Sequence, residues 1–150
     1  MTQNSTICAL STPRGKGGIA VIRVSGEKAL EITEKTVKSN KKVTEAEGYT
    51  IVYGKAFSNE REIDEVLVSV FRAPNSFTGE NVCEISCHGS PVSVERIIDA
   101  LIENGAAMAQ KGEFTKRAFL NGKMSLTQAE AVHDIIESKT DEALYAAVNR

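Results

Sequence analysis

Three side chains stand where their type and neighbours could do binding chemistry. Glu80 follows a glycine in Ser76-Phe77-Thr78-Gly79-Glu80-Asn81, a loop crowded with hydroxyl and amide side chains immediately before an apolar strand. Arg23 interrupts the apolar run IAVIRV. A charge in a strand ordinarily faces solvent, and alternation along this run allows that. Lys123 lies between a short helical stretch and Ser125, the expected cap of the next helix, where a helix N-terminus disfavours a cation. That placement points to an anion nearby. Dense polar clusters at the ends of strands and helices are costly in a small domain unless they bind something.

Other groupings look like chemistry and lack its requirements. Gly15-Lys16 and Gly122-Lys123 resemble the end of a phosphate-binding loop. Leu10 and Arg117 stand where the upstream glycine belongs, and neither lysine precedes Ser or Thr. The glycines of GKGGIA precede a strand instead of opening a helix, so they do not make a dinucleotide fingerprint. Cys83, Ile85 and Cys87 share one face of a predicted strand and read as core; Val82, Glu84, Ser86 and His88 share the other. A zinc site would need four converging ligands. His133 has no second histidine at helical spacing and reads as a partly exposed helical residue. No side chain is an obvious nucleophile with an adjacent base.

The elements that must position these residues follow from periodicity and punctuation. Strands are expected over Thr6–Leu10, Gly18–Val24, Tyr49–Phe57, Ile63–Phe71 and Val82–Cys87, with a sixth short one at Ala106–Gln110. Ser58–Glu62 links two of them as an exposed turn. A helix is expected over Glu27–Lys38. A second opens at Ser90-Pro91 with Val94, Ile97, Ile98, Leu101 and Ile102 on its apolar face. Glu113–Leu120 reads as a short helix stopped by Asn121 and Gly122. Ser125-x-x-Gln128 then has capping-box spacing at the start of a long helix, whose stripe includes Leu126, Ala129, Val132, Ile135, Ile136, Ala143 and Ala147. The stripe meets no stop signal before Arg150, so the native protein is expected to continue. The order ββαβββα, then helices, predicts an α+β fold. Its sheet should be mixed or antiparallel, with about five strands.

The 150 residues, 41% hydrophobic and 25% charged, suit a globular chain with one core. A net charge of −2 gives no global pull toward nucleic acid or anionic membrane. No apolar run approaches the ~20 residues needed to span a bilayer, and no secretory signal is visible. Three cysteines without framework spacing favour a reducing compartment, so a cytoplasmic location is expected.

The segments TPRGKGGIAVIRVSG, APNSFTGENVCEISCHGSP and GEFTKRAFLNGKMSLTQAEAVHDIIESKT resemble the N-terminal part of the MnmE/TrmE family of tRNA modification GTPases, over about Thr6 to Lys139. The resemblance implies an aminomethyltransferase-like fold that binds a reduced folate, 5-formyltetrahydrofolate or a relative, and pairs into a homodimer. It divides the chain into a folate-binding and dimerisation domain over 1–119 and the first part of an all-α helical domain over 120–150. It also implies an FAD-binding partner of the MnmG/GidA type, tRNA reached through the full complex, and no membrane. GTP, magnesium and potassium would belong to a G domain outside this chain, which alone would not be catalytic. The resemblance implies that the folate would supply one carbon for an aminomethyl-type (carboxymethylaminomethyl) group at C5 of the wobble uridine.

The family's folate contacts fall on Arg23 of the IxRxSG strand, Glu80 of FTGE, and Lys123 after the FLN turn. A carboxylate such as Glu80 can accept the adjacent N–H donors of a pterin as a forked pair. Arg23 or Lys123 could take the folate carboxylates or a carbonyl oxygen. Arg14 and Lys16 are further candidates for the tail or RNA, and the His88-Gly89 corner is expected to let backbone approach the ligand. Two other readings stand beside this one: an assembly domain without folate, and a self-contained aminomethyltransferase-like enzyme.

Overall fold

In the computed structural model, residues 5–13 and 18–132 are described. Arg14, Lys16, His133 and the residues after it lie outside them, so the expected later stretch of the last helix is not described. The elements run β1 (Ile7–Leu10), β2 (Ile19–Ser25), α1 (Ala29–Thr36), β3 (Val37–Ser39), β4 (Thr50–Ser58), β5 (Arg61–Phe71), β6 (Val82–His88), α2 (Pro91–Glu103), β7 (Ala107–Met108) and α3 (Glu113–Leu120). The sheet has the order β3-β4-β5-β6-β2-β1-β7. Every pairing is antiparallel except β1 with β7, so the fold is α+β with a mixed sheet, as the element order predicts.

Alternation decides what the sheet buries. Val52, Val66, Val68, Val70, Cys83, Ile85, Ala20, Ile22 and Val24 turn to one face and are buried there with α1 and α2. Each such valine or isoleucine contributes ~1.5–3 kcal/mol on leaving water. The helices complete this layer through Leu30 and Ile32 of α1 and Val94, Ile97, Ile98 and Leu101 of α2. Ala100, not the expected Ile102, joins the α2 face; Ile102 is exposed. Ser90 occupies the N-cap position and Pro91 the first turn, though the serine hydroxyl makes no capping bond.

The sheet has seven strands, not about five. β3 was hidden in the predicted first helix. Val37 leaves the helix with extended backbone and pairs with Ala56, while Ser39 pairs with Gly54. A Cβ at Gly54 would lie 2.6 Å from Val37 Cγ1 and 2.7 Å from the Lys38 carbonyl oxygen, so the strand exists because position 54 is bare. β7 is the short sixth strand, reduced to two residues. The link between β4 and β5 is also tighter than expected. Asn59 and Glu60 alone form it, with φ of 49° and 66°, the signs required by a two-residue type I′ hairpin turn.

The second face of the sheet is divided. Near β1 and the end of β2 it is covered by α3 and the loop before β6, where Ile7 and Val82 are buried. Across the rest, Ile19, Ile51, Tyr53 and Leu67 are exposed. The candidate site lies where covered sheet meets open sheet.

Candidate functional site

Arg23 stands on this second face directly opposite Glu84 of β6. Its Nε donates to Glu84 Oε2 at 3.0 Å. The guanidinium lies 4.7 Å from the centre of the Phe77 ring and 5.2 Å from that of Phe114. Strand alternation therefore predicted its face correctly but not its surroundings. Two aromatic rings hold the cation, and its side chain is 20% exposed.

Glu80 is fixed by a closed ring of hydrogen bonds. Its backbone N–H donates to Thr78 Oγ1 at 3.2 Å. Thr78 Oγ1 lies 2.7 Å from Ser25 Oγ, and Ser25 Oγ donates to Glu80 Oε1 at 2.8 Å. Each hydroxyl has one proton, so the direction is determined. Since Ser25 donates to the carboxylate, Thr78 must donate to Ser25. Ser25 and Thr78 are both fully buried, which makes each partner necessary.

Arg117 supplies the counter-charge. Its Nη1 lies 3.2 Å from both Glu80 oxygens, and its Nη2 lies 3.1 Å from Glu113 Oε2. Only 4% of this arginine is exposed. The sequence reading missed it. Its signal was helical spacing: Phe114, Arg117 and Ala118 fall at i, i+3 and i+4 on the face that α3 turns inward, and Glu113 precedes Arg117 by four.

Lys123 is brought to the same loop by the way α3 ends. Gly122 adopts φ of 72°, with Gly122 N–H bonded to Phe119 O and Lys123 N–H to Ala118 O, the two bonds of a Schellman stop. Asn121 Nδ2 then donates to Thr78 O at 2.8 Å. Gly79, at φ of 82°, fits so closely that an added Cβ would be 2.9 Å from Asn121 Cβ and 3.2 Å from Lys123 Cγ. This environment corrects the electrostatic reading of Lys123. The lysine immediately follows a helix C-terminus, which favours a cation. The following helix N-terminus is closed by its own capping box, Ser125 N–H to Gln128 Oε1 and Gln128 N–H to Ser125 Oγ. No anion is needed to explain the lysine.

The fold thus brings Arg23, Glu80 and Lys123 around one loop, from three distant parts of the chain. The His88-Gly89 corner is not part of this group. It lies at the other end of β6 from Val82, roughly 20 Å away at ~3.3 Å per residue. There the His88 Nδ1 is 2.7 Å from Asp64 Oδ1. The hollow of about 630 Å³ beside α2, lined in part by Leu10, Val94, Ile98 and Met108, likewise contains none of the three.

Cys83 and Cys87 are core residues, as the strand pattern predicts, and Cys8 joins them. Burial raises the thiol of Cys83 to about 12 and those of Cys8 and Cys87 to about 11. Such thiols are protonated at neutral pH and serve packing rather than nucleophilic chemistry. Chemically, the site offers a mostly buried carboxylate held in one orientation, a fixed guanidinium and an exposed ammonium. That set suits a heterocycle rich in N–H donors with an anionic tail.

Comparison with known proteins decides the family. The model of the GTP-binding protein TrmE N-terminus matches residues 6–123. The chain belongs to this TrmE N-terminal family. It is 50% identical over 145 residues to the tRNA modification GTPase MnmE of Listeria welshimeri, covering 97% of this chain and 32% of the relative. The MnmE of Geobacillus kaustophilus is 48% identical over 154 residues, covering 100% and 33% respectively. For that of Enterococcus faecalis the identity is 50% over 148 residues, covering 97% and 32%. The chain therefore spans about a third of the length of these family members. Arg23, Glu80 and Lys123 all fall inside the matched range, and so do Arg117 and Glu113. Among the described residues no helix is long and apolar enough to cross a membrane.

Proposed function

We propose that this domain binds a reduced folate, 5-formyltetrahydrofolate or a close relative, at Glu80, Arg23 and Lys123. The observation that carries the reading is the pre-set Glu80 carboxylate: a buried hydroxyl ring and Arg117 hold it before any ligand arrives. With Oε2 still able to take one more donor, it can accept an N–H group of a pterin there, instead of the forked pair expected from the sequence. Arg23, fixed by Glu84 and two aromatic rings, and the exposed Lys123 would take oxygens of the ligand. Bound folate supplies the one-carbon unit. The residues of this chain orient it and hold its ring donors.

In this reading the domain serves a tRNA modification GTPase that places an aminomethyl-type group on C5 of the wobble uridine, in the cytoplasm. It acts with an FAD-binding partner of the MnmG/GidA type. GTP and its ions would bind elsewhere in the longer protein. The open sheet face, with Ile19, Ile51, Tyr53 and Leu67 exposed beside the site, supports pairing into a homodimer. That same face favours the second reading, an assembly domain that takes no folate.

Calorimetric titration with 5-formyltetrahydrofolate separates the two. Saturable binding that Glu80→Ala, Arg23→Ala and Lys123→Ala each weaken supports the folate site. A folded dimer that takes up no ligand supports assembly alone.

A further inference from the structure

We propose that Arg117 is a positioning residue of this site, acting on the ligand only through the Glu80 carboxylate that it aligns. The inference rests on the folate reading above.

Arg117 is an unusual residue to bury on the inward face of an eight-residue helix, and its burial has a geometric consequence. The two terminal nitrogens are divided between carboxylates: Nη1 spans both oxygens of Glu80, and Nη2 holds Glu113 one turn earlier in the same helix. Glu113 also accepts the Gln110 N–H at 2.9 Å, so it is anchored to the start of α3. The guanidinium is thus fixed in its plane by its own helix and presents one edge to Glu80. Ser25 approaches the same carboxylate at Oε1. Together these donors use both Oε1 positions and one at Oε2, leaving acceptor capacity at Oε2 for a ligand. Arg117 itself is buried under the helix and has almost no surface to offer a ligand. Lysine in its place would keep the charge but not the fork that serves two carboxylates at once.

The test is a double-mutant cycle on binding of 5-formyltetrahydrofolate by the full chain. Arg117→Met should weaken binding about tenfold to a hundredfold, the range for loss of a charged hydrogen bond. Arg117→Lys should recover part of the loss. In a Glu80→Ala background, Arg117→Met should change affinity by less than about twofold, because its only route to the ligand is gone. A merely structural arginine would lower affinity by the same factor in both backgrounds, and that result overturns the proposal. So does wild-type affinity in folded Arg117→Met.

Should Arg117→Met fail to fold, Glu113→Gln replaces it in the same cycle, with a smaller loss that also vanishes without Glu80. Failure of the folate reading is distinguishable: the wild-type chain then takes up no folate, or its binding is indifferent to Glu80→Ala. Either result removes this proposal as well. Binding that Glu80→Ala weakens but Arg117 and Glu113 substitutions leave unchanged refutes the positioning role alone.

Discussion

Replacing Thr78 with valine tests whether hydrogen bonding or packing secures Glu80. Valine matches threonine in shape, so packing alone predicts almost no effect at this fully buried position. The ring predicts otherwise. Valine removes the acceptor of the Glu80 N–H and the donor to Ser25, bonds of 3.2 and 2.7 Å. Two net hydrogen bonds at ~1 kcal/mol each, with a further ~1 kcal/mol for the amide left without its acceptor, give a loss of about 3 kcal/mol. For a chain of this size that lowers the melting temperature by roughly 6–12 °C. Thr78→Ser keeps the hydroxyl and loses one methyl, at a cost of ~1 kcal/mol. Thermal unfolding followed by circular dichroism should therefore rank wild type above serine and serine above valine. Calorimetry should show folate affinity falling with valine and nearly retained with serine. Valine as stable as wild type, with serine below it, would refute the ring as the restraint on Glu80.

Four further outcomes are expected. Glu60→Gly should raise stability by ~1 kcal/mol in urea unfolding, because Glu60 holds φ of 66° in the β4–β5 turn and glycine removes the Cβ penalty. Gly79→Ala should abolish folate binding in calorimetry, since a Cβ there would be 2.9 Å from Asn121 Cβ on strained backbone. On the proposed pairing, Leu67→Glu, on the open face and 47% exposed, should shift sedimentation toward monomer while circular dichroism stays native. The three buried thiols set an alkaline limit. Their folded values lie above the ordinary thiol value of 9.0, so the folded state holds more protons above pH 9 and stability falls from there toward about 11. Below 9 their contribution is complete. Three such thiols give a slope of up to ~4 kcal/mol per pH unit, and Cys83→Ala should remove about a third of it.

Legibility in the sequence followed the size of the element and the range of the interaction. β4 and β5 were read from alternation, β2 from its β-branched apolar run, and α2 from the spacing of Val94, Ile97, Ile98 and Leu101. β3 was not, because three residues carry no period and their strand depends on the bare backbone of Gly54, 15 residues beyond Ser39 in the sequence. At the site, Glu80 stood out by its polar loop and Arg23 by its apolar strand. Arg117 did not. An acid and a base at i, i+4 on a short helix look like an ordinary exposed pair, and only the sheet beneath α3 buries them. Lys123 was selected partly on a dipole argument that the Schellman stop and the filled capping box remove. Its standing now rests on its place beside the Gly79 turn and on the family resemblance.

The position of the site on the sheet links its two proposed roles. Cross-strand register sets Tyr53, Leu67, Ser86 and Val21 in one row on the second face, and Ser69, Glu84 and Arg23 in the next. The exposed apolar row therefore abuts the row that holds Arg23. A second copy covering the apolar row would lower the local dielectric beside the Arg23–Glu84 pair and the Glu80 carboxylate, strengthening any bond they make to a ligand. Linkage then requires the reverse: folate must tighten the dimer by the same factor. Charges at the seam between covered and open sheet are expensive to leave half-buried without such a return. On the proposed reading, this is why the ligand site occupies the seam and not the hollow of about 630 Å³ beside α2.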